Sequence, residues 1–230
     1  MRRRVARAAS RALAALIGAS LALGAAPVVS AQPQGAPAAA PAALPADSQA
    51  AGIMCFYAAV LNGRAQSEAV AEATWFLFDA ARRATADKPD SFVEKVEELV
   101  GLTPPNLETL ASDAPQLLPL CASRYPLISS KRTVTLPADP FTRDMQCYAL
   151  TGYMVGMTES ELEDSGESPF GKRMTALSEK LAARLTPERY IAAGFTEEPA
   201  MQALFARSLR DVSPLGNLMN VLSACEASGG

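Results

Sequence analysis

Four cysteines constrain the fold of this 230-residue chain more than any other feature. Cys55, Cys121, Cys147 and Cys225 are spaced so widely that no two of them fall within one local motif. Redox-active thiols require a close pair such as Cys-x-x-Cys, and the sequence has none. In an oxidising compartment, an even number of cysteines without metal-ligand spacing predicts disulfides.

The N-terminus predicts that the chain does enter such a compartment. Five arginines within the first eleven residues precede a mostly apolar stretch over 12–29, and Val29-Ser30-Ala31 has the small-residue form of a signal peptidase site. The alternative is a membrane anchor, but glycine, serine and proline interrupt the stretch, which is short for the ~20 apolar residues of a span. We therefore expect residues 1–31 to be a cleaved signal peptide and the protein to be periplasmic or secreted.

Removal of these 31 residues makes the chain acidic. The whole sequence has 21 basic and 24 acidic residues, so without the five arginines 16 remain against 24, a net charge of −8. Such a chain repels nucleic acid and anionic lipid, and we expect no nucleic-acid partner and no stable membrane insertion after signal removal. It also contains no histidine, the most frequent catalytic base and zinc ligand. We expect no metal and no cofactor.

Residues 32–46 form a Pro/Ala-rich segment. Its prolines at positions 33, 37, 41 and 45 recur every four residues, and each one lacks a backbone donor and blocks helix propagation. The segment is therefore expected to be a flexible or extended leader.

The remaining chain has helical patterns throughout and almost no convincing strand, which predicts an all-α fold. A helix over 48–63 follows Asp47 or Ser48, and a helix over 67–86 begins at Ser67 and is apolar on most faces, as in the middle of a bundle.

Further helix starts are expected where a capping residue precedes a proline. The sequence places such starts at Thr103-Pro104, Asp113-Ala114-Pro115, Ser168-Pro169, Thr186-Pro187 and Ser213-Pro214. A polar loop, rich in carboxylates at positions 159, 161, 163, 164 and 167, precedes the third of these.

The helices divide into two units that share one plan. Unit 1 covers 47–127, a linker covers 128–139, and unit 2 covers 140–228. Cys55-Phe56-Tyr57 resembles Cys147-Tyr148-Ala149 near the start of each unit, and Leu102-Thr103-Pro104 resembles Leu185-Thr186-Pro187 in the interior. This divergent tandem repeat favours, among three connectivities, the pairs Cys55 with Cys121 and Cys147 with Cys225, so that one disulfide closes each helical bundle.

An early aromatic-flanked cysteine and a late cysteine followed by proline, Cys121 to Pro126, accompany the signal peptide. In these features the chain resembles small exported helical proteins stapled by a disulfide, such as the HdeA-type periplasmic acid-stress chaperones and the helical immunity proteins. Those families share a scaffold rather than a reaction, so the resemblance implies binding to a protein partner or client.

The alternative is an enzyme that uses carboxylates. Asp79 lies in the apolar run Trp75-Phe76-Leu77-Phe78 and is the candidate buried acid, although an ion pair with Arg82 or Arg83 one turn later also accounts for it. The acidic run over 159–167 lacks the ligand order of a calcium loop and is expected to be solvated. A non-enzymatic binding protein, chaperone-like or inhibitory, is the first hypothesis; a periplasmic hydrolase is the second.

Overall fold

The computed structural model describes residues 43–63, 66–130, 133–166 and 168–229. These residues form nine α-helices and two short 3₁₀ helices and contain no strand, so the all-α prediction is confirmed. The α-helices are α1 Ser48–Asn62, α2 Ser67–Ala84, α3 Phe92–Gly101, α4 Leu107–Arg124, α5 Pro140–Ser165, α6 Pro169–Arg184, α7 Pro187–Ala192, α8 Glu198–Arg210 and α9 Leu218–Gly229. The 3₁₀ helices are Pro89–Ser91 and Ser213–Leu215.

The predicted signal peptide and residues 32–42 of the predicted leader lie outside the described residues. Within the part that is described, no helix has the length and apolar character needed to cross a membrane.

Helix α2 lies at the centre of the fold, as its apolar sequence predicts. It packs against α1, α3, α5, α8 and α9. Its contact with α1 is very close, because a Cβ on Gly52 would lie 2.9 Å from the Cβ of Ala80 and 3.0 Å from the carbonyl oxygen of Phe76. A glycine at position 52 therefore allows the two helices to approach to backbone contact.

Helix boundaries follow the predicted caps in some places and not in others. Asp47 caps α1 by accepting from the N–H of Ala50 at 2.7 Å, and Ser168 caps α6 by accepting from the N–H of Gly171 at 3.1 Å. Ser67 is not the cap of α2, because the helix already includes it and Gln66 precedes it. The predicted acidic loop is also wrong in its first part, since α5 continues as a helix through Ser165.

Helix α4 contradicts a second prediction. No new helix starts at Asp113-Ala114-Pro115; instead one helix runs from Leu107 to Arg124 with Pro115 and Pro119 inside it. A proline in a helix interior costs about 3 kcal/mol. Here both prolines lie on the exposed face, while the opposite face buries Leu110, Ala114, Leu117 and Cys121. Tertiary packing on that face offsets the local cost.

Both predicted disulfides are present. Cys55 is bonded to Cys121, which joins α1 to α4, and Cys147 is bonded to Cys225, which joins α5 to α9. All four cysteines are buried. Each bridge therefore connects the first helix of a unit with its last, as expected from the sequence.

The two bundles pack against each other and share one cluster of buried residues. The indole Nε1 of Trp75 in α2 donates to the carbonyl oxygen of Ser213 at 3.0 Å. The side-chain amide of Asn217 donates both to Glu72 and to the carbonyl oxygen of Ile128, each at 2.8 Å. These bonds fix the start of α9 to α2 and to the segment between the bundles.

Candidate binding groove

A shallow apolar groove of 450 Å³ lies on the first bundle. Its floor is formed by α1 and α4, one wall by the loop between α3 and α4, and the other wall by the residues that precede α1. The apolar side chains that line it are Ala43, Pro45, Ala50, Ile53, Met54, Leu102, Pro104, Pro105, Leu110 and Leu117. A second depression of 390 Å³ adjoins it around residues 103–109, at the start of α4.

The loop wall results from the sequence after α3. The helix ends at Gly101, and Leu102 adopts an extended conformation with φ −85° and ψ 101°. Pro104 and Pro105 then prevent the continuation of α3, because neither has an N–H to donate to the preceding turn. Leu102 consequently stays 47% exposed at the edge of the groove instead of joining the core.

The opposite wall is a short segment that is neither helix nor strand, and Arg124 holds it. The guanidinium of Arg124, at the end of α4, donates to the carbonyl oxygen of Pro45 and, at 2.8 Å, to that of Ala46. Leu44 packs against the buried cluster. The segment is thus bound through its carbonyl oxygens and its apolar side chains.

The groove is nearly uncharged. Among the residues that the structure describes, Asp113 is the one ionisable side chain that lines it, beside the polar side chains of Thr103, Asn106 and Thr109. Asn106 precedes α4 and makes no side-chain hydrogen bond that caps it. The site therefore offers mainly apolar surface with a few polar side chains.

The disulfide Cys55–Cys121 joins the two helices that form the floor of this groove. Cys55 follows Met54 directly in α1, and Cys121 lies one turn after Leu117 in α4. Because α4 packs mainly against α1, the bridge fixes the spacing of the two helices that form the floor.

The predicted buried acid, Asp79, lies away from the groove. Its side chain is 5% exposed, and its two oxygens accept from Arg82 at 2.9 Å and from Arg83 at 2.7 Å. Both carboxylate oxygens are thus engaged in ion pairs within α2. The ion-pair interpretation of this residue is the one that the geometry supports.

A second buried carboxylate, Asp144 in α5, was not found by sequence reasoning. Its oxygens accept from Arg184 at 2.6 Å and from Arg189 at 2.8 Å, and its side chain is 2% exposed. The partners follow it by 40 and 45 residues, so no local spacing links them. The sequence contains one signal that Asp144 is buried, which is its position next to Met145 on the inward face of the helix.

Ligands for a metal are not assembled in the described part of the chain. No group of three or more cysteine, aspartate or glutamate side chains there could hold an ion. The cysteines, which would be the strongest ligands, are all engaged in disulfides.

Comparisons with known proteins give no relative: no family model, no curated protein and no solved structure matches this chain. The resemblance to HdeA-type chaperones and helical immunity proteins stays a prediction from the sequence.

Proposed function

We propose that this protein is exported and acts by binding other proteins, in a chaperone-like or inhibitory role, through the groove between α1, α4 and the 102–106 loop. The observation that carries the proposal is the groove itself. It is an apolar depression of 450 Å³ on the described residues, and the disulfide Cys55–Cys121 joins the two helices that form its floor. Concave apolar sites with a few polar groups are the usual form of a binding site.

The charge of the site supports binding rather than catalysis. A carboxylate enzyme needs two acids that converge on one cleft. Of the described residues, Asp113 is the one acid that lines the groove, and the buried acids are paired with arginines, Asp79 with two and Asp144 with three. We therefore do not propose these carboxylates as the catalytic acids of a hydrolase.

Export is supported by the two disulfides together with the N-terminal sequence. Disulfides form and persist in oxidising environments. N-terminal sequencing of the protein from the envelope or the medium should begin at Gln32. A protein that keeps Met1 and stays in the cytoplasm would contradict this part of the proposal.

Site-specific photo-crosslinking tests the binding site. A photoreactive amino acid at Leu102, which is 47% exposed in the groove, should form adducts with other proteins in living cells. The matched control is Leu120, which is 39% exposed and lies on α4 outside the groove. Equal adduct yields at both positions, or none at Leu102, would show that the groove is not a protein-binding site.

A further inference from the structure

We propose that the disulfide Cys55–Cys121 is a redox switch for the groove. When the bond is reduced, α4 separates from α1 and the groove is lost, while the other helices and the disulfide Cys147–Cys225 stay in place. This inference rests on the proposed function, because it assigns a regulation to the same site. Three properties of α4 point to it: its place in the groove, its weak intrinsic helicity and its dependence on one neighbouring helix.

The first property is the place of α4 in the groove. Four of the lining residues belong to this helix, namely Thr109, Leu110, Asp113 and Leu117. The helix forms the floor together with α1, and its first residues also line the adjoining depression. The groove therefore exists only while α4 lies on α1.

The second property is the weak intrinsic helicity of α4. Pro115 and Pro119 lie in the helix interior, where neither can donate to a carbonyl oxygen of the preceding turn. Asn106, which precedes the helix, makes no side-chain hydrogen bond that caps it. Most helical stability in proteins comes from tertiary packing. The 18 residues of α4 should therefore lose their helical structure when they leave α1.

The third property is that α4 packs mainly against α1. The residues that α4 buries are Leu110, Ala114, Leu117 and Cys121. The chain on either side is held independently, because α3 packs against α2 and α8, and the buried ring of Tyr125 lies against Trp75 and Phe76. Loss of the disulfide should therefore release α4 and leave its neighbours in place.

The second disulfide is placed differently and serves as an internal reference. Cys147–Cys225 joins α5 to α9, and α9 packs against α2, α5 and α6. Asn217, directly before α9, also donates to Glu72 and to the carbonyl oxygen of Ile128. Reduction of this bond should therefore leave α9 in place.

Both sulfurs of the first disulfide are buried, so a reductant reaches them only when α4 opens. A thiolate of a dithiol then attacks one sulfur and forms a mixed disulfide, and the second thiol of the reductant resolves it. The dithiol gives two electrons and two protons and leaves as a disulfide, while Cys55 and Cys121 become thiols. A disulfide-bearing oxidant reverses the reaction. Because α4 should open more readily than α9, Cys55–Cys121 should be reduced before Cys147–Cys225.

Timed reduction of the native protein tests this order. The oxidised chain that begins at Gln32 is treated with dithiothreitol, quenched with N-ethylmaleimide and mapped by mass spectrometry. Cys55 and Cys121 should be labelled at least about tenfold faster than Cys147 and Cys225. When only the first pair is reduced, hydrogen exchange should rise over 107–124 and stay slow over 67–84. Equal labelling rates, or loss of protection in both segments together, would overturn the inference.

A matched pair of proline substitutions tests whether the opening of α4 controls the reduction. Pro115→Ala restores a donor inside α4 on its exposed face, and it should slow the reduction of Cys55–Cys121 at least about tenfold. Pro169→Ala makes the same change at the first residue of α6, where an N–H has no helical acceptor, and should change the rate by less than about twofold. Equal rates in Pro115→Ala and the unsubstituted chain would show that α4 does not control the bond.

Photo-crosslinking from position 102 separates this inference from the proposed function. Adducts should be lost when Cys55 and Cys121 are replaced by serine and should persist when Cys147 and Cys225 are replaced. If adducts persist in the first variant, the groove binds proteins but the disulfide does not regulate it. If the oxidised chain forms no adducts, the proposed function fails and redox control of a binding site fails with it, even where Cys55–Cys121 is reduced first. Loss of all helices in the first variant, seen by circular dichroism, would also overturn the inference, because only α4 should unfold.

Discussion

Asp79 and Asp144 are both buried carboxylates paired with arginines, Asp79 with two and Asp144 with three, and they differ in what they connect. Arg82 and Arg83 lie one turn after Asp79, so that network stays within α2. Asp144 in α5 instead joins Arg184 at the end of α6 and Arg189 in α7. Its ion pairs therefore hold three helices together, and their loss should destabilise the contacts between these helices.

Asp144→Asn should lower the free energy of unfolding by about 2 kcal/mol. The substitution removes the counter-ion of Arg143, Arg184 and Arg189, although each is about 30% exposed and water reduces the cost below that of a fully buried pair. Urea unfolding followed by circular dichroism measures the change.

The control is Asp90→Asn, which breaks a half-exposed ion pair with Arg207. Little change is expected there, because exposed pairs contribute little to stability. Equal destabilisation by both substitutions would contradict the role assigned to the burial of Asp144.

Trp75 offers a second test at the same scale. It is the one tryptophan of the chain, it is 2% exposed, and its Nε1 donates to the carbonyl oxygen of Ser213. Native fluorescence should be blue-shifted and resistant to quenching by iodide, and both properties should disappear in denaturant. Emission like that of free tryptophan in water would show that α2 does not occupy the centre of the fold.

At the scale of helices, α4 depends mainly on one neighbouring helix. It packs mainly against α1, whereas α9 packs against α2, α5 and α6. The disulfide Cys55–Cys121 spans 66 residues and Cys147–Cys225 spans 78, so the chain-entropy model gives each about 4 kcal/mol. The two disulfides should therefore contribute about equally to the free energy of unfolding, but loss of the first should loosen α4 more than loss of the second loosens α9.

Replacing Cys55 and Cys121 by serine should loosen α4 more than replacing Cys147 and Cys225 loosens α9. Hydrogen exchange over residues 107–124 should rise strongly in the first variant, while exchange over 218–229 should rise less in the second, because three helices still hold α9. Similar exchange at both helices would contradict the dependence of α4 on its disulfide.

Sequence reasoning predicted the helices whose signals are local. Asp47, Ser168 and the apolar face of α2 act where they stand in the sequence, and both disulfides followed from the repeated cysteine pattern. The run of helix through Pro115 was missed because burial of the opposite face of α4 decides it. The groove was missed for the same reason: its lining comes from three separate segments, and no residue in any of them signals the others.

At the scale of the whole molecule, acid should destabilise the fold. Hydrogen bonds from Arg207, Thr142 and Thr186 lower the pKa values of Asp90, Asp139 and Glu188 respectively. A carboxylate with a lowered native pKa contributes stability above its unfolded pKa, near 4, and that stability is lost as the pH falls through the lower native value. Each of these three contributions is small, because the carboxylates are exposed and water screens them. Glu97 has the opposite sign, because burial, and then Glu94, raise its pKa, so its protonation favours the folded state.

Net charge strengthens the acid response and links it to the proposed function. Between about pH 6 and pH 8 the charge should change little, since no histidine titrates. Full protonation of the 24 carboxylates leaves the 16 basic residues of the chain after Ala31, a net charge near +16. Self-repulsion of that size loosens helix packing and exposes apolar faces, while the two disulfides keep each bundle compact.

Below about pH 4 the oxidised protein should bind a hydrophobic dye and, over the same pH range, suppress the aggregation of an unfolded client. Dye fluorescence and light scattering measured on the same samples check whether the two rise together, and Leu102→Glu, with Leu120→Glu as control, shows whether the groove takes part. A chaperone-like role requires that exposed surface be used for binding, because acid denaturation alone also exposes it. Dye binding in acid with unchanged client aggregation would therefore exclude the chaperone role, whereas protein adducts from a photoreactive residue at position 102 at neutral pH would still support an inhibitory one.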